Sequence, residues 1–126
     1  MINKTIGAIA WHDLTVDDAT GLKSFYEKVI GWESQPVSMG DYDDYNMIIP
    51  SEGNPAAGIC HKKGENANLP SQWMIYINVE NLDSSIEACK SNGGKVISGP
   101  KVINGMGKYC VIEDPAGACC ALFEHE

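Results

Sequence analysis

Apolar and polar residues alternate along residues 6–16, Ile-Gly-Ala-Ile-Ala-Trp-His-Asp-Leu-Thr-Val, and this period of two predicts a first strand. Ala8, Ala10, His12, Leu14 and Val16 then share one face, and Ile9, Trp11, Asp13 and Thr15 the other. The period changes after Val16. Asp17 or Asp18 is placed to cap a helix whose apolar stripe is Ala19, Leu22, Phe25, Tyr26 and Val29, and Gly31 supplies a left-handed stop. Trp32 to Ser38, Tyr45 to Pro50 and Pro55 to His61 read as three further strands, separated by the turn-rich Gly40-Asp-Tyr-Asp-Asp and by Glu52-Gly53-Asn54.

The same order returns after the polar stretch Lys62 to Ser71. Strand Trp73 to Val79 leads to a cap at Asn81 or Asp83, a helix through Ile86 and Cys89, and a stop at Gly93-Gly94. Strands Lys95 to Ser98, Lys108 to Glu113 and Ala118 to Glu124 follow, the last two joined by the turn Asp114-Pro-Ala-Gly117. A shift of 63 residues, half the 126-residue length, superposes Val16 on Val79, Gly31 on Gly94, Ile49 on Ile112 and Gly58 on Ala121. Residue identity between the halves is at chance level, so what repeats is the order of elements. The expected fold is α+β: one domain, residues 1–126, made of two tandem βαβββ modules, 1–63 and 64–126, forming a curved mixed sheet around a cleft.

Composition narrows the function classes. No stretch approaches the roughly 20 apolar residues of a membrane span, and the N-terminus has no hydrophobic signal core, so a cytoplasmic protein without membrane contact is expected. The formal charge of −8, with nine basic residues that are all lysine, opposes a phosphate backbone and argues against nucleic acid. Cys60, Cys89, Cys110, Cys119 and Cys120 are odd in number and lack CxxC spacing, which fits reduced core cysteines.

Several motifs together resemble the vicinal oxygen chelate superfamily of glyoxalases, bleomycin-resistance proteins and extradiol dioxygenases. They are Trp11-His-Asp-Leu14, Phe25-Tyr26 before Gly31-Trp32, Pro55-Ala-Ala-Gly-Ile59, and Gly107-Lys-Tyr-Cys-Val-Ile-Glu-Asp-Pro-Ala-Gly117 ending at Ala-Leu-Phe123. The resemblance covers nearly the whole chain and implies four strands per module curling around a cleft. The superfamily includes both enzymes and drug-sequestering proteins, so the fold leaves the function open.

The resemblance also implies where metal-using members place ligands: on the first and fourth strands of each module. Here those positions carry Trp11, Gly58, Met74 and Ala121. Indole only donates, a thioether is a soft, weak ligand, and Ala and Gly offer no ligating atom, so no metal and no cofactor are expected. His12, His61 and Glu124 are the alternative donors, but strand parity turns them to the helix-covered face or to a strand end.

By the same parity the cleft receives Trp11, Asp13 and Thr15, Cys60, Met74, Tyr76 and Asn78, and Cys119 and Phe123. Trp11, Met74 and Phe123 supply apolar contact, while Asp13, Tyr76 and Asn78 supply polar handles for a small organic ligand. The competing reading is a filled core in which Asp13 and Tyr76 bond each other. Asp13 is also the candidate general base, set against a buried, hydrogen-bonded Asp. Cys119 lacks an activating His on its face and reads as core, and Gly105-Met-Gly107 is a loop. A metal-free binder of a small molecule is the leading expectation. The alternative is a metal-dependent or Asp-based lyase, isomerase or dioxygenase, and a homodimer is expected in either case.

Overall fold

The computed structural model describes residues 3–126. They form eight strands and two α-helices in βαβββ order, twice: β1 (Ile9–Val16), α1 (Ala19–Val29), β2 (Glu33–Ser38), β3 (Asp43–Ile48) and β4 (Pro55–His61), then β5 (Trp73–Asn78), α2 (Leu82–Ser91), β6 (Lys95–Ile103), β7 (Gly107–Glu113) and β8 (Cys119–His125). A short 3₁₀ turn, Gly64–Asn66, interrupts the polar linker. The fold is α+β, as expected.

The chain divides into two compact units, a central one, His12–Trp73, and a terminal one that joins the residues up to Trp11 to Met74–Glu126. The division does not fall at the midpoint of the sequence. Asn78 explains why: its backbone bonds Gly7 N–H at 2.8 Å and Ala8 C=O at 3.0 Å, and its side-chain amide donates to the carbonyls of Asn3 and Thr5 at 2.8 and 3.1 Å. The N-terminal segment is thereby fastened to the second half of the sequence, and β1 starts in one unit and ends in the other.

In the central unit the strand order is β2-β3-β4-β1. β1 and β4 run parallel, from Asp13↔Gly58 to Val16↔His61, and the other pairs are antiparallel. The connection from β1 passes through α1, whose cap is Asp18: its Oδ1 accepts the Gly21 N–H at 2.9 Å. Ala19 of the helix and Met47 and Ile59 of the sheet beneath it are wholly buried, with Leu22, Tyr26, Trp32 and Tyr45 around them. Burying a Met or Ile side chain stabilises by roughly 1.5–3 kcal/mol. Two members of the expected stripe lie outside it. Phe25 is 53% and Val29 63% exposed, because the buried line runs through Ala19, Leu22 and Tyr26, and both face away from it.

The terminal unit repeats the scheme as β5-β8-β7-β6. β5 and β8 are parallel, with Tyr76↔Ala121 and Asn78↔Phe123 in register. Helix α2 is capped by Asn81, whose Oδ1 accepts the Ser84 N–H at 2.9 Å. Leu82, Ile86, Cys110 and Leu122 form its core with Ile77, Val79, Val96, Ile112 and Cys120. β6 continues to Ile103, beyond the predicted end at Ser98, through a register irregularity between Ser98 and Lys101. Pro100 is tolerated there because β6 is the edge strand of this unit, where a missing N–H breaks no ladder.

Candidate functional site

The core of the terminal unit fixes which face each side chain occupies. Ile77, Cys110, Ile112, Cys120 and Leu122 point towards α2. The alternate residues Tyr76, Asn78, Tyr109, Val111, Cys119, Ala121, Phe123 and His125 therefore lie on the helix-free face. Four rings run across that face. Tyr76 and Tyr109 have centroids 6.0 Å apart, Tyr109 and Phe123 stack with nearly parallel planes at 6.3 Å and 9°, and Phe123 meets the His125 imidazole at 4.6 Å.

The predicted ligand residues of this unit separate into two groups. Met74 (3% exposed), Asn78 (2%) and Phe123 (8%) are buried. Asn78 spends its whole amide on the protein: the NH₂ holds Asn3 and Thr5, and Oδ1 accepts His125 Nε2–H at 2.9 Å. Its polar atoms are a fastening for the N-terminal segment rather than a free handle. Trp11 and Tyr76 are only partly buried, and so is Tyr109, a ring on the same face that the sequence reading did not place among the ligand residues.

His125 was missed in the sequence because the last strand was expected to end at Glu124. It shares the face of Cys119, contrary to the expectation that no histidine does. Six residues of strand separate the two by about 20 Å, so the imidazole does not activate that thiol. Burial, with Lys4 adding a little, lowers the His125 pKa from its ordinary value. Burial raises Cys119, and the Cys110 thiol is pushed up to about 11. Glu124, one of the alternative metal donors, is on the α2 side as parity requires, and its Oε1 accepts the Leu82 N–H at 2.7 Å.

In the central unit Asp13 and Cys60 lie on the face away from Met47 and Ile59. Asp13 is in register with Gly58 and Thr15 with Cys60. Cys60 is held well above an ordinary thiol pKa, first by burial and then by Asp13 and Asp44. Asp44, 8% exposed, accepts the His61 backbone N–H at 2.9 Å and sits 3.4 Å from His61 Nδ1. His61 thus turns around the end of β4, where Tyr42 meets its ring edge-on at 5.5 Å. The result is a satisfied polar network around an inert thiol.

The donor set does not suit a divalent ion at the positions the superfamily uses. Gly58 sits beside Asp13 and Ala121 beside Tyr76, and Met74 is buried with only its thioether. Among the described residues no three His, Cys, Asp or Glu side chains are grouped to hold a metal, and no helix is long and apolar enough to cross a membrane.

The chain is 27% identical to the putative glyoxylase CFP32 of Mycobacterium tuberculosis over 118 residues, which are 94% of this chain and 44% of that protein. It is 27% identical to the anthracycline biosynthesis protein DnrV of Streptomyces peucetius, covering 93% of this chain and 46% of that one. The chain therefore spans less than half the length of these relatives. The crystal structure of methylmalonyl-CoA epimerase from Mycobacterium tuberculosis superposes with a TM-score of 0.59 at 15% identity, over 100% of this chain and 93% of the epimerase, and shows a shared fold. The model of the Glyoxalase/Bleomycin resistance protein/Dioxygenase superfamily matches residues 5–119, and the chain belongs to that superfamily.

Proposed function

We propose that this glyoxalase-family chain binds a planar aromatic small molecule against the helix-free face of the terminal unit, at Tyr76 and Tyr109, without a divalent metal. The row of rings from Tyr76 through Tyr109 and Phe123 to His125 carries the reading. Phe123 within the row is buried, and the two tyrosines at one end keep part of their surface accessible. A preset ring row favours stacking with another flat ring, at about 0.5–1.5 kcal/mol per aromatic pair beyond area alone. The name of DnrV, an anthracycline biosynthesis protein, supports a flat polycyclic ligand class. The formal charge of −8 favours ligands that carry a cation. The absence of hard donors at Trp11, Gly58, Met74 and Ala121 supports binding without a metal.

Titration with an anthracycline, followed by quenching of the ligand's own fluorescence, tests this. Tyr109→Ala should weaken binding about tenfold, Tyr76→Phe should weaken it only for analogues that can hydrogen-bond its hydroxyl, and a chelator should change nothing. Equal affinity in wild type, Tyr76→Ala and Tyr109→Ala would refute the site. Loss of binding on chelation, restored by a divalent ion, would refute the metal-free reading.

A further inference from the structure

A pocket of about 330 Å³ opens on the central unit, lined by His12, Trp32, Ala56, Ala57 and Trp73. It lies apart from Asp13 and Cys60. The register that sets Asp13 against Gly58 and Leu14 against Ile59 sets His12 beside Ala57, on the face that carries Ile59 and α1. The Trp32 and Trp73 indoles meet at 6.1 Å and 79°, and Tyr26 packs against both, at 5.8 and 5.5 Å. Trp73 Nε1–H donates to the Tyr26 hydroxyl at 3.1 Å, so the orientation of this 38% exposed indole is set in advance. His12 is exposed, and its imidazole makes no hydrogen bond or ion pair among the described residues.

Two oriented indoles, small alanine flooring and one unengaged imidazole specify a ligand chemistry. Indoles held edge to face leave an apolar slot suited to another aromatic ring. The lining has no carboxylate to pair with a cation, and the −8 charge of the chain opposes an anion. We propose that this pocket is a second small-molecule site, taking a neutral aromatic compound of one or two fused rings that bears a hydroxyl group. The rings pack against Trp32 and Trp73, and the hydroxyl hydrogen-bonds the His12 imidazole. The site is independent of the tyrosine face of the terminal unit.

The three tryptophans, Trp11, Trp32 and Trp73, give three indole N–H signals in a ¹⁵N-resolved proton spectrum, and 2-naphthol is the probe. Titration should move the Trp32 and Trp73 signals saturably. His12→Ala should weaken 2-naphthol about tenfold, the loss expected for one hydrogen bond. The wild type should hold 2-methylnaphthalene, which lacks the hydroxyl, no better than His12→Ala holds 2-naphthol. Ala56→Leu, which fills the slot from a partly buried position, should abolish the response, with the remaining spectrum showing that each variant is folded. Unmoved Trp32 and Trp73 signals, or full affinity in both folded variants, would overturn the proposal. So would Trp32 and Trp73 signals that move on dilution without ligand, since a second copy of the chain would then occupy the slot.

Discussion

The carboxylate of Glu124, near the end of β8, accepts the backbone N–H of Leu82, the first residue of α2, at 2.7 Å. It thereby satisfies one of the orphan donors of the helix N-terminus and sets a negative charge at the positive end of the helix dipole. Glu124→Ala should cost about 1–2 kcal/mol, and Glu124→Gln, which keeps an acceptor oxygen, clearly less. Urea unfolding of the three proteins measures this, and equal midpoints for Ala and wild type would show that the cap does not hold in solution.

Gly107 opens β7 at φ 144°, with the carbonyl of Glu124 directly against the place a Cβ would take. The obstacle is β8 backbone rather than a movable side chain. Gly107→Ala should therefore destabilise by about 3 kcal/mol or more, well beyond Gly105→Ala, where nothing lies near and only the φ of 81° is strained. A pair of thermal melts decides it; similar losses in the two variants would mean that the β7–β8 packing adjusts.

Because His125 has its pKa lowered by burial, the folded state takes up its proton less readily than the unfolded chain. Its contribution to stability is complete above the ordinary histidine value of about 6.5, and it is lost as pH falls through that value towards the folded pKa. Unfolding free energies measured from pH 7.5 down to 5 should drop more steeply for wild type than for His125→Gln, which keeps a donor for Asn78. Parallel curves would remove His125 from the pH response.

The thiols of Cys60 and Cys110 should resist alkylation at pH 7.5. Cys110 is fully buried with its pKa pushed up to about 11, and Cys60 is raised further by burial and the carboxylates of Asp13 and Asp44. Mass spectrometry after brief iodoacetamide treatment should find both unmodified in native protein and modified in guanidinium. Rapid native labelling of Cys60 would contradict its enclosure.

Elements governed by local chemistry were legible in the sequence. Each cap was narrowed to two residues, Asp17 or Asp18 and Asn81 or Asp83, and Asp18 and Asn81 take the role because each places an oxygen three residues before the amide it accepts; β4 begins and ends where Pro55 and His61 were read. Alternation also placed Glu124 and Cys119 on their faces. Periodicity could not centre the buried stripe of α1, and so misplaced Phe25 and Val29, whose surroundings are decided by strands far along the chain. For the site the gap was wider. Asn78 looked like a free amide because nothing local reveals that Asn3 and Thr5, more than seventy residues away, take its protons. The Trp32 and Trp73 slot is likewise a product of distant residues, and parity alone gave His12 no neighbours.

The attachment of the N-terminal segment to Asn78 bears on how such a repeat can be recombined. A cut at the sequence midpoint severs the second half from the residues that its Asn78 amide and backbone bond, so the halves are not exchangeable cassettes. Crossovers that keep both units whole fall instead within β1 and at the junction of Trp73 and Met74. A chimera that replaces His12–Trp73 as one block would keep the Asn78 attachment of the N-terminal segment intact, although the repeated order of elements in the sequence runs out of phase with that block.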